Sequence, residues 1–551
     1  MERHLLSILV LVPVAGAVAV AAVGRLMPGR DRLLHAIAAV TTVVAFALSV
    51  PMWRGFAVRG AQWQFTDGLF ALPSIGAGLV FGVDGLSLVL VLLTTALVCL
   101  AVAAAWAHAP ARPGQYFAAI LLLEAGILGT YASLDLLVFA LSWTIAAVSM
   151  CAVIGAAEGR DRSPGRVALV AVVPGVLILA GVLILYSQAR TLTGTPTFDL
   201  RMFQNLTLPL AAQRWAFVTL SAGFVVGIFG IFRWWLAVGS GERNTAVPLL
   251  LAAVFLKVAT FGFLRLCLPL LPEATQAFAP AVVSIAAIVT VLAAVAAFAQ
   301  ASWTKVLAYA SLGHVSLVTL GAFALTPDGL TGSAVHQVNH GLSIAALFLI
   351  AAIVTDRGHS TSISDYGGLL NAMPLVAALW LFLTFSLVGV PKLNGLVGTE
   401  LIVKGLWLTS KTWAIVAIGG QALSAVALLW LFSRMMLGEL RGPAGDALKD
   451  LRLREAAVVL PLVAVVVWAG VKPDALLATV ETSVARVVLR VSPQYGPEVA
   501  DCLTQPPPPA DPLLPSGIVS MAPCSDASGK EAKGGAASTE REREKDEEHR
   551  R

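Results

Sequence analysis

Lys257, Lys305, His314, His336, His340, Glu124 and Glu400 stand within, or at the edges of, stretches that are otherwise almost wholly apolar. An ionisable group in such a stretch is costly unless it faces a partner or water, so by default it marks an ion path. Lys257 lies in A-V-F-L-K-V-A-T-F-G-F-L-R-L, with long apolar runs on both sides. An amine stripped of hydration can gain and release a proton, which makes it a candidate carrier. The competing reading is a lysine that snorkels to an interface. His314 and His340 fall on consecutive apolar segments, W-T-K-V-L-A-Y-A-S-L-G-H-V-S-L and V-H-Q-V-N-H-G-L-S-I-A-A-L-F-L-I, flanked by Gly313 and Ser316 and by Gly341 and Ser343. Small and hydroxyl neighbours leave room for water, and an imidazole can pass a proton in either direction. A lone buried histidine is more often a hydrogen-bonded structural residue. His336 lies one turn before His340 and shares its helical face; a zinc site there lacks a Glu or Cys to complete the set.

The elements that must hold these groups follow from composition. The 551 residues are 58% hydrophobic and 13% charged, with mean hydropathy +0.84, against about a quarter charged in soluble domains. A spanning helix needs roughly 20 apolar residues, and about fourteen such stretches predict an all-α integral membrane protein. The net charge of +5 is spread over the connections and excludes a nucleic-acid partner. Five cysteines, at 99, 151, 267, 502 and 524, show no metal-ligand spacing.

Residues 1–114 hold three spans, the first a retained helix rather than a cleaved signal, and a polar loop over 51–81. Asp84 reads as the cap of the third span, with Gly82 and Gly85 allowing a tight entry. Residues 115–270 and 271–440 each hold five spans, and 441–491 hold a last span and an amphipathic stretch expected along the membrane surface. Residues 492–551 are Pro-, Ser- and Gly-rich with a closing charge run and read as disordered. Arg25, Arg30 and Arg32, then Arg160, Arg162 and Arg166, then Arg434, Arg441, Lys449, Arg452 and Arg454 fall on one side, expected to be cytoplasmic. An even span count puts both termini on the other. Arg190, Arg201 and Arg214 break that pattern. In the twelfth span, F-S-L-V-G-V-P-K-L-N-G-L-V-G-T-E, Gly389, Pro391, Gly395 and Gly398 predict a helix broken in mid-membrane, where freed backbone groups can line a cavity.

Several of these strings resemble the antiporter-like membrane subunits of respiratory complex I, NADH:quinone oxidoreductase, most nearly the subunit M type. They are G-V-D-G-L-S-L-V-L-V-L-L-T at 82–94, the Lys257 string, and the His314 and His340 segments. The resemblance covers about 82–440. It implies two inverted five-helix repeats with broken helices, the central proton path for Lys257, and a relay role for His314 and His340 with Lys305 and Asn339 nearby. It also implies a bacterial inner or equivalent membrane, other membrane-arm subunits as partners, and NADH, FMN, iron–sulfur clusters and quinone held by those partners. No cofactor motif occurs in this chain. The family's acidic or basic position in the twelfth span falls on Thr399, one residue before Glu400, with Lys392 and Lys404 as the other candidates. The fifth-helix glutamate is Thr144, and the seventh-helix lysine is Val226 or Gly227. Losing both members of a buried pair avoids a stranded charge. Glu124 is either their substitute or a buried acid without a transport role, and Arg265 reads as an interface anchor. The expected function is a translocase subunit; a Mrp-type cation/proton antiporter and a non-pumping structural paralogue are the alternatives.

Overall fold

The structure is a computed structural model and describes residues 4–105, 110–158, 164–238, 246–441 and 448–504. Arg160, Arg162 and the tail from 505 lie outside the described residues. Among the described residues, thirteen helices are long and apolar enough to cross a membrane. In chain order the first are α1 (Leu5–Leu26), α2 (Asp31–Gly55), α3 (Gly85–Ala104), α4 (Pro113–Ala132) and α5 (Leu136–Glu158). Next come α6 (Gly165–Thr193), α7 (Leu210–Val238), α8 (Ala246–Leu270), α9 (Pro272–Phe298), α10 (Trp303–Phe323) and α11 (Pro327–Gly358). The twelfth span is broken into α12 (Pro374–Val388) and α13 (Asn394–Thr409), and α14 (Lys411–Met436) and α15 (Leu453–Val471) complete the bundle. A further helix, α16 (Asp474–Val491), follows.

Side-chain and backbone caps fix where these helices begin. Asp84 accepts from Ser87 N–H at 2.9 Å, as expected from the sequence. Asp135 caps α5 through Leu137 and Val138 N–H at 2.8 and 3.1 Å, and Thr326 accepts from Gly329 N–H at 3.2 Å ahead of Pro327. Each satisfies donors that the first helical turn leaves orphaned.

The connection read as a loop over 51–81 contains an antiparallel hairpin, β1 (Gln64–Leu72) and β2 (Ala77–Val83). Pro73 and Gly76 form its turn, with Gly76 at φ +66°, and β-prone Phe and Thr stand in the first strand and Val and Phe in the second. The hairpin ties down one face of the bundle. Val80 C=O accepts from Leu134 N–H at 3.0 Å and Gly76 C=O from Phe198 N–H at 2.9 Å. His4 Nδ1 meets Asp67 at 2.8 Å on the same face, and Ser492 Oγ donates to Leu325 C=O at 2.6 Å. Both described ends therefore share the hairpin face, as an even number of spans requires. Arg201 lies here too, paired with the helix-capping Asp199 at 2.6 Å, which gives one of the charge-pattern exceptions a local partner.

The amphipathic stretch expected on the membrane surface is α16, and its apolar side packs onto the bundle itself. Gly85 N–H donates to Ser483 Oγ at 3.0 Å, and Thr479 C=O occupies the place where a Cβ at Gly85 would stand. The start of the expected disordered region is also ordered: Gly496–Thr504 is helical.

The strongest helix pairings repeat. α4 packs on α5 as α9 packs on α10, and α6 packs on α7 as α11 packs on α13. An offset of five spans reverses direction, so the second unit is inverted relative to the first. The centre belongs to α8, α10 and α11, whose apolar windows are 100%, 89% and 94% buried, against 28% for α15 at the rim.

Candidate functional site

Lys257 sits on the most enclosed helix, between two π-helical segments, Leu250–Phe255 and Phe263–Cys267. A π turn widens the ladder and recurs at functional sites. Here Ala252 C=O, five residues back, accepts from Lys257 Nζ at 3.2 Å. The ammonium group also meets His340 Nδ1 at 2.6 Å, with both residues 2% exposed. One turn further on, Thr260 Oγ donates to Gln337 Oε1 at 2.7 Å.

The histidines of α10 and α11 close around this contact. His314 and His340 rings lie 4.9 Å apart between centroids, and His314 Nδ1 is 3.1 Å from His336 Nε2. Spacing of four residues puts His336 and His340 on one face of α11, while Gly398 of α13 lies where a Cβ would strike His336. His336, which shares the helical face of His340, is therefore part of the cluster. His340 Nε2 and His336 Nδ1 are buried without a partner among the described residues.

A second polar group joins the cluster to the broken span. Asn339 Nδ2 donates to Asn394 C=O at 2.7 Å, and Asn394 Nδ2 returns the bond to Asn339 C=O at 3.1 Å. Asn394 Oδ1 accepts from Ser386 Oγ at 2.5 Å and from Ser343 Oγ at 3.2 Å. The break lies where Gly389 and Pro391 predict it. Gly389 adopts φ +85° and Lys392 φ +69°, and proline has no N–H to continue the ladder. Gly395 and Gly398 instead lie inside α13 and allow close packing, against the Ser386 carbonyl and His336 respectively.

The remaining candidates lie apart. Lys305 is half-buried in the first turn of α10, nine residues from His314, or about 14 Å of helix. Glu400 is 51% exposed and pairs with Lys404 at 3.0 Å on the outer surface of α13, so the one-residue offset noted in the sequence turns it away from the histidines. Lys392 is exposed in the break, and Thr399 bonds to its own helix at Gly395 C=O, 3.0 Å. Glu124 is fully buried, and neither of its oxygens has a hydrogen-bond partner among the described residues. Thr144 Oγ donates to Ala140 C=O at 2.8 Å and crowds Gly175 of α6. Gly227 takes the Trp143 ring where a longer side chain would stand, and Val226 is exposed.

Arg265 corrects the reading as an interface anchor. It is 6% exposed, and its guanidinium grips Asp84, with Nη1 at 2.9 Å from Oδ2, and donates to Ser87 Oγ. The Trp63 and Phe261 rings lie 4.7 and 5.0 Å from it. This pair, eight residues or about 12 Å along α8 from Lys257, borders a cavity of about 20 Å³ at the hairpin face, together with Arg486 and Arg490 of α16. That is room for about one water.

The missed residues are Asn394, Ser386, Thr260 and Gln337. Their only sequence signal is a polar side chain in an apolar run, which a helix-capping or back-bonded residue gives equally well.

Fold and site together define a class: a polytopic helical membrane protein with an inverted-repeat core, one broken span and a lysine–histidine line at its centre. Residues 133–424 match the family described as NADH:quinone oxidoreductase/Mrp antiporter, TM. The chain is 33% identical to NADH-quinone oxidoreductase subunit M of Rhodobacter capsulatus, over 90% of this chain and 98% of that one. It is 30% identical to NADH-ubiquinone oxidoreductase chain 4 of Arabidopsis thaliana, over 88% and 97%. A chain of respiratory complex I from Thermus thermophilus with bound NADH superposes with TM-score 0.74 at 26% identity, covering 88% of this chain and all of that one (100%). The Mrp complex of Dietzia sp. shares the fold, with TM-score 0.72 at 18% identity over 91% and 99%. The chain belongs to this family of complex I and Mrp antiporter membrane subunits, and it is a multi-pass integral membrane protein.

Proposed function

We propose that the chain is the M-type membrane-arm subunit of a complex I-like NADH:quinone oxidoreductase, and that it moves protons along Lys257, His340, His314 and His336. The observation that carries this is the buried 2.6 Å contact between Lys257 Nζ and His340 Nδ1. With Lys257 charged, Nδ1 accepts and the ring proton sits on Nε2. With Lys257 neutral, the amine accepts from an Nδ1–H. A proton thus moves between the two without large motion, and reorientation of the His340 ring or one bridging water reaches His314. His314 and His336 then exchange a proton over 3.1 Å. NADH, FMN, iron–sulfur clusters and quinone belong to partner subunits, and this chain carries no electron.

The exposed Glu400–Lys404 pair supports a protein neighbour on the α13 side, since a charged pair facing lipid within a span is costly. The positive-inside pattern places the hairpin face outside a bacterial inner membrane. Lys305, Glu124 and Glu400 stand outside the proposed line. Thr144 and Gly227 favour a second reading, a non-pumping paralogue, and the shared fold keeps a Mrp-type antiporter as a third.

The test is NADH-driven proton uptake in inverted membrane vesicles, comparing the parent with Lys257→Ala at matched complex content. Lower uptake per NADH with intact assembly supports pumping. Unchanged uptake makes the chain scaffold. NADH oxidation that survives deletion of the whole chain removes the complex I assignment and leaves the antiporter.

A further inference from the structure

A crevice of about 370 Å³ opens between α2, α3, α11 and α15, with the start of α16 at one end. Its volume falls in the ~300–1,000 Å³ range of small-ligand sites, but its walls are almost wholly apolar, so it offers no polar group to orient a hydrogen-bonding ligand. Trp53, Val89 and Trp468 line the end at the hairpin face and Leu100 the inner end, with Val338 and Leu342 between them near Leu93. Pro461, inside α15, forms part of the wall.

The dimensions and the rim choose the occupant. From Val89 to Leu100 is eleven residues of α3, or about 16 Å, against about 15 Å for half of a bilayer core. Val89 and Leu100 each lie four residues from an end of α3, so the crevice runs across the middle of that helix for about the length of one acyl chain. Two tryptophans at its mouth stand where interfacial aromatics belong. Exposed Arg54 follows Trp53 directly, and exposed Lys472 is one turn beyond Trp468, with its N–H donating to Trp468 C=O at 2.8 Å. An apolar slot about as long as an acyl chain, with tryptophans and cationic groups at its mouth, matches an acyl chain carrying an anionic headgroup.

We propose that this crevice is a binding site for an anionic phospholipid, with one acyl chain between α3 and α15 and its phosphate held by Arg54 and Lys472 at the hairpin face. The inner wall gives the lipid a role. Val338 and Leu342 lie on the same helix as Asn339 and His340, and Leu93 of α3 fills the place of a Cβ at Gly341. An acyl chain there keeps water from the back of α11. Binding does not depend on whether the chain moves protons.

The test uses the complete complex in mild detergent. Cys99 lies half-buried on the crevice wall, so its alkylation by an apolar maleimide reads occupancy in place. Added phosphatidylglycerol should slow that alkylation severalfold more than phosphatidylcholine does. Arg54→Gln and Lys472→Gln, both at exposed positions, should each reduce that preference by about fivefold. Ala96→Phe, which fills the crevice, should remove one phospholipid per complex by native mass spectrometry. Alkylation indifferent to lipid overturns the proposal, as does a preference that survives loss of both charges. So does a quinone or a partner's helix cross-linked to Cys99 in place of lipid. If Ala96→Phe fails to assemble, the two charge variants decide alone.

Discussion

The two inverted halves solve the same packing problem with different interiors. In the second, the span that pairs with α11 is broken, and Asn394 at the break is held by four hydrogen bonds to Asn339, Ser343 and Ser386. In the first, the corresponding span that pairs with α6 is the continuous helix α7. Its interior is closed by Trp143 against Gly227 and by Thr144 against Gly175, and Glu124 stands alone. A broken helix exposes backbone groups that must be met by polar side chains or water; a continuous one needs only shape. The second half, which carries the histidines, has the break, and the first half is packed closed around Thr144 and Gly227, while Lys257 on α8, its last span, meets His340 of the second. The proposed proton line therefore runs from α8 into the second unit.

The largest effect should come from removing the lysine that joins the two halves. Lys257→Met keeps the volume and removes the exchangeable proton, and proton uptake per NADH should fall by more than half at equal complex content. Unchanged uptake would erase the contrast between the halves. Next comes the buried ion pair. Arg265→Met strands Asp84 and should destabilise the complex by about 3–5 kcal/mol, whereas Asp84→Ala with Arg265→Met should cost less than either alone. Thermal unfolding of the four species reads the coupling, and additive costs would show that the two residues act independently.

How far this was legible in the sequence differs between the halves for a physical reason. Hydropathy alone predicts the spans, because a membrane allows few backbone solutions, and Gly389 with Pro391 predicts the break. Lys257, His314 and His340 were legible because a charge in an apolar run has few structural uses. His336 was recognisable only by its shared face with His340. The Asn339–Asn394 clasp joins residues 55 apart in the chain, and Arg265 with Asp84 spans 181; neither pairing has a local signal. Glu400 misled in the opposite sense, since a charge near a break looks functional until the helical angle turns it outward.

Two smaller changes sharpen the comparison from either side. Asn394→Ala removes the bond to Asn339 C=O and the shared acceptor of the Ser343 and Ser386 hydroxyls, which keep only their 2.7 Å bond to each other, and should cost about 1–3 kcal/mol. Because the loss falls at the break, uptake should drop with it, although no titrating group is touched. Glu124→Gln is nearly isosteric and should leave uptake per NADH unchanged. A fall there would mean that the first half conducts through a route that lacks the old pair, and the halves would differ in chemistry rather than in capacity.

Thr144→Val should have the smallest effect of all. The hydroxyl bonds only to Ala140 C=O in its own helix, a carbonyl that the helix already uses, so its loss costs at most about 0.5–1 kcal/mol. Uptake should not change. Thr144→Glu with Gly227→Lys, which restores the family's charges by type, should not raise uptake either. The glutamate would enter the contact with Gly175 and the lysine would displace the Trp143 ring, each overpacking a closed core at about 1–3 kcal/mol. The absence of charges at Thr144 and Gly227 and the closed packing around them thus belong together, and charges alone cannot create the cavity they would need.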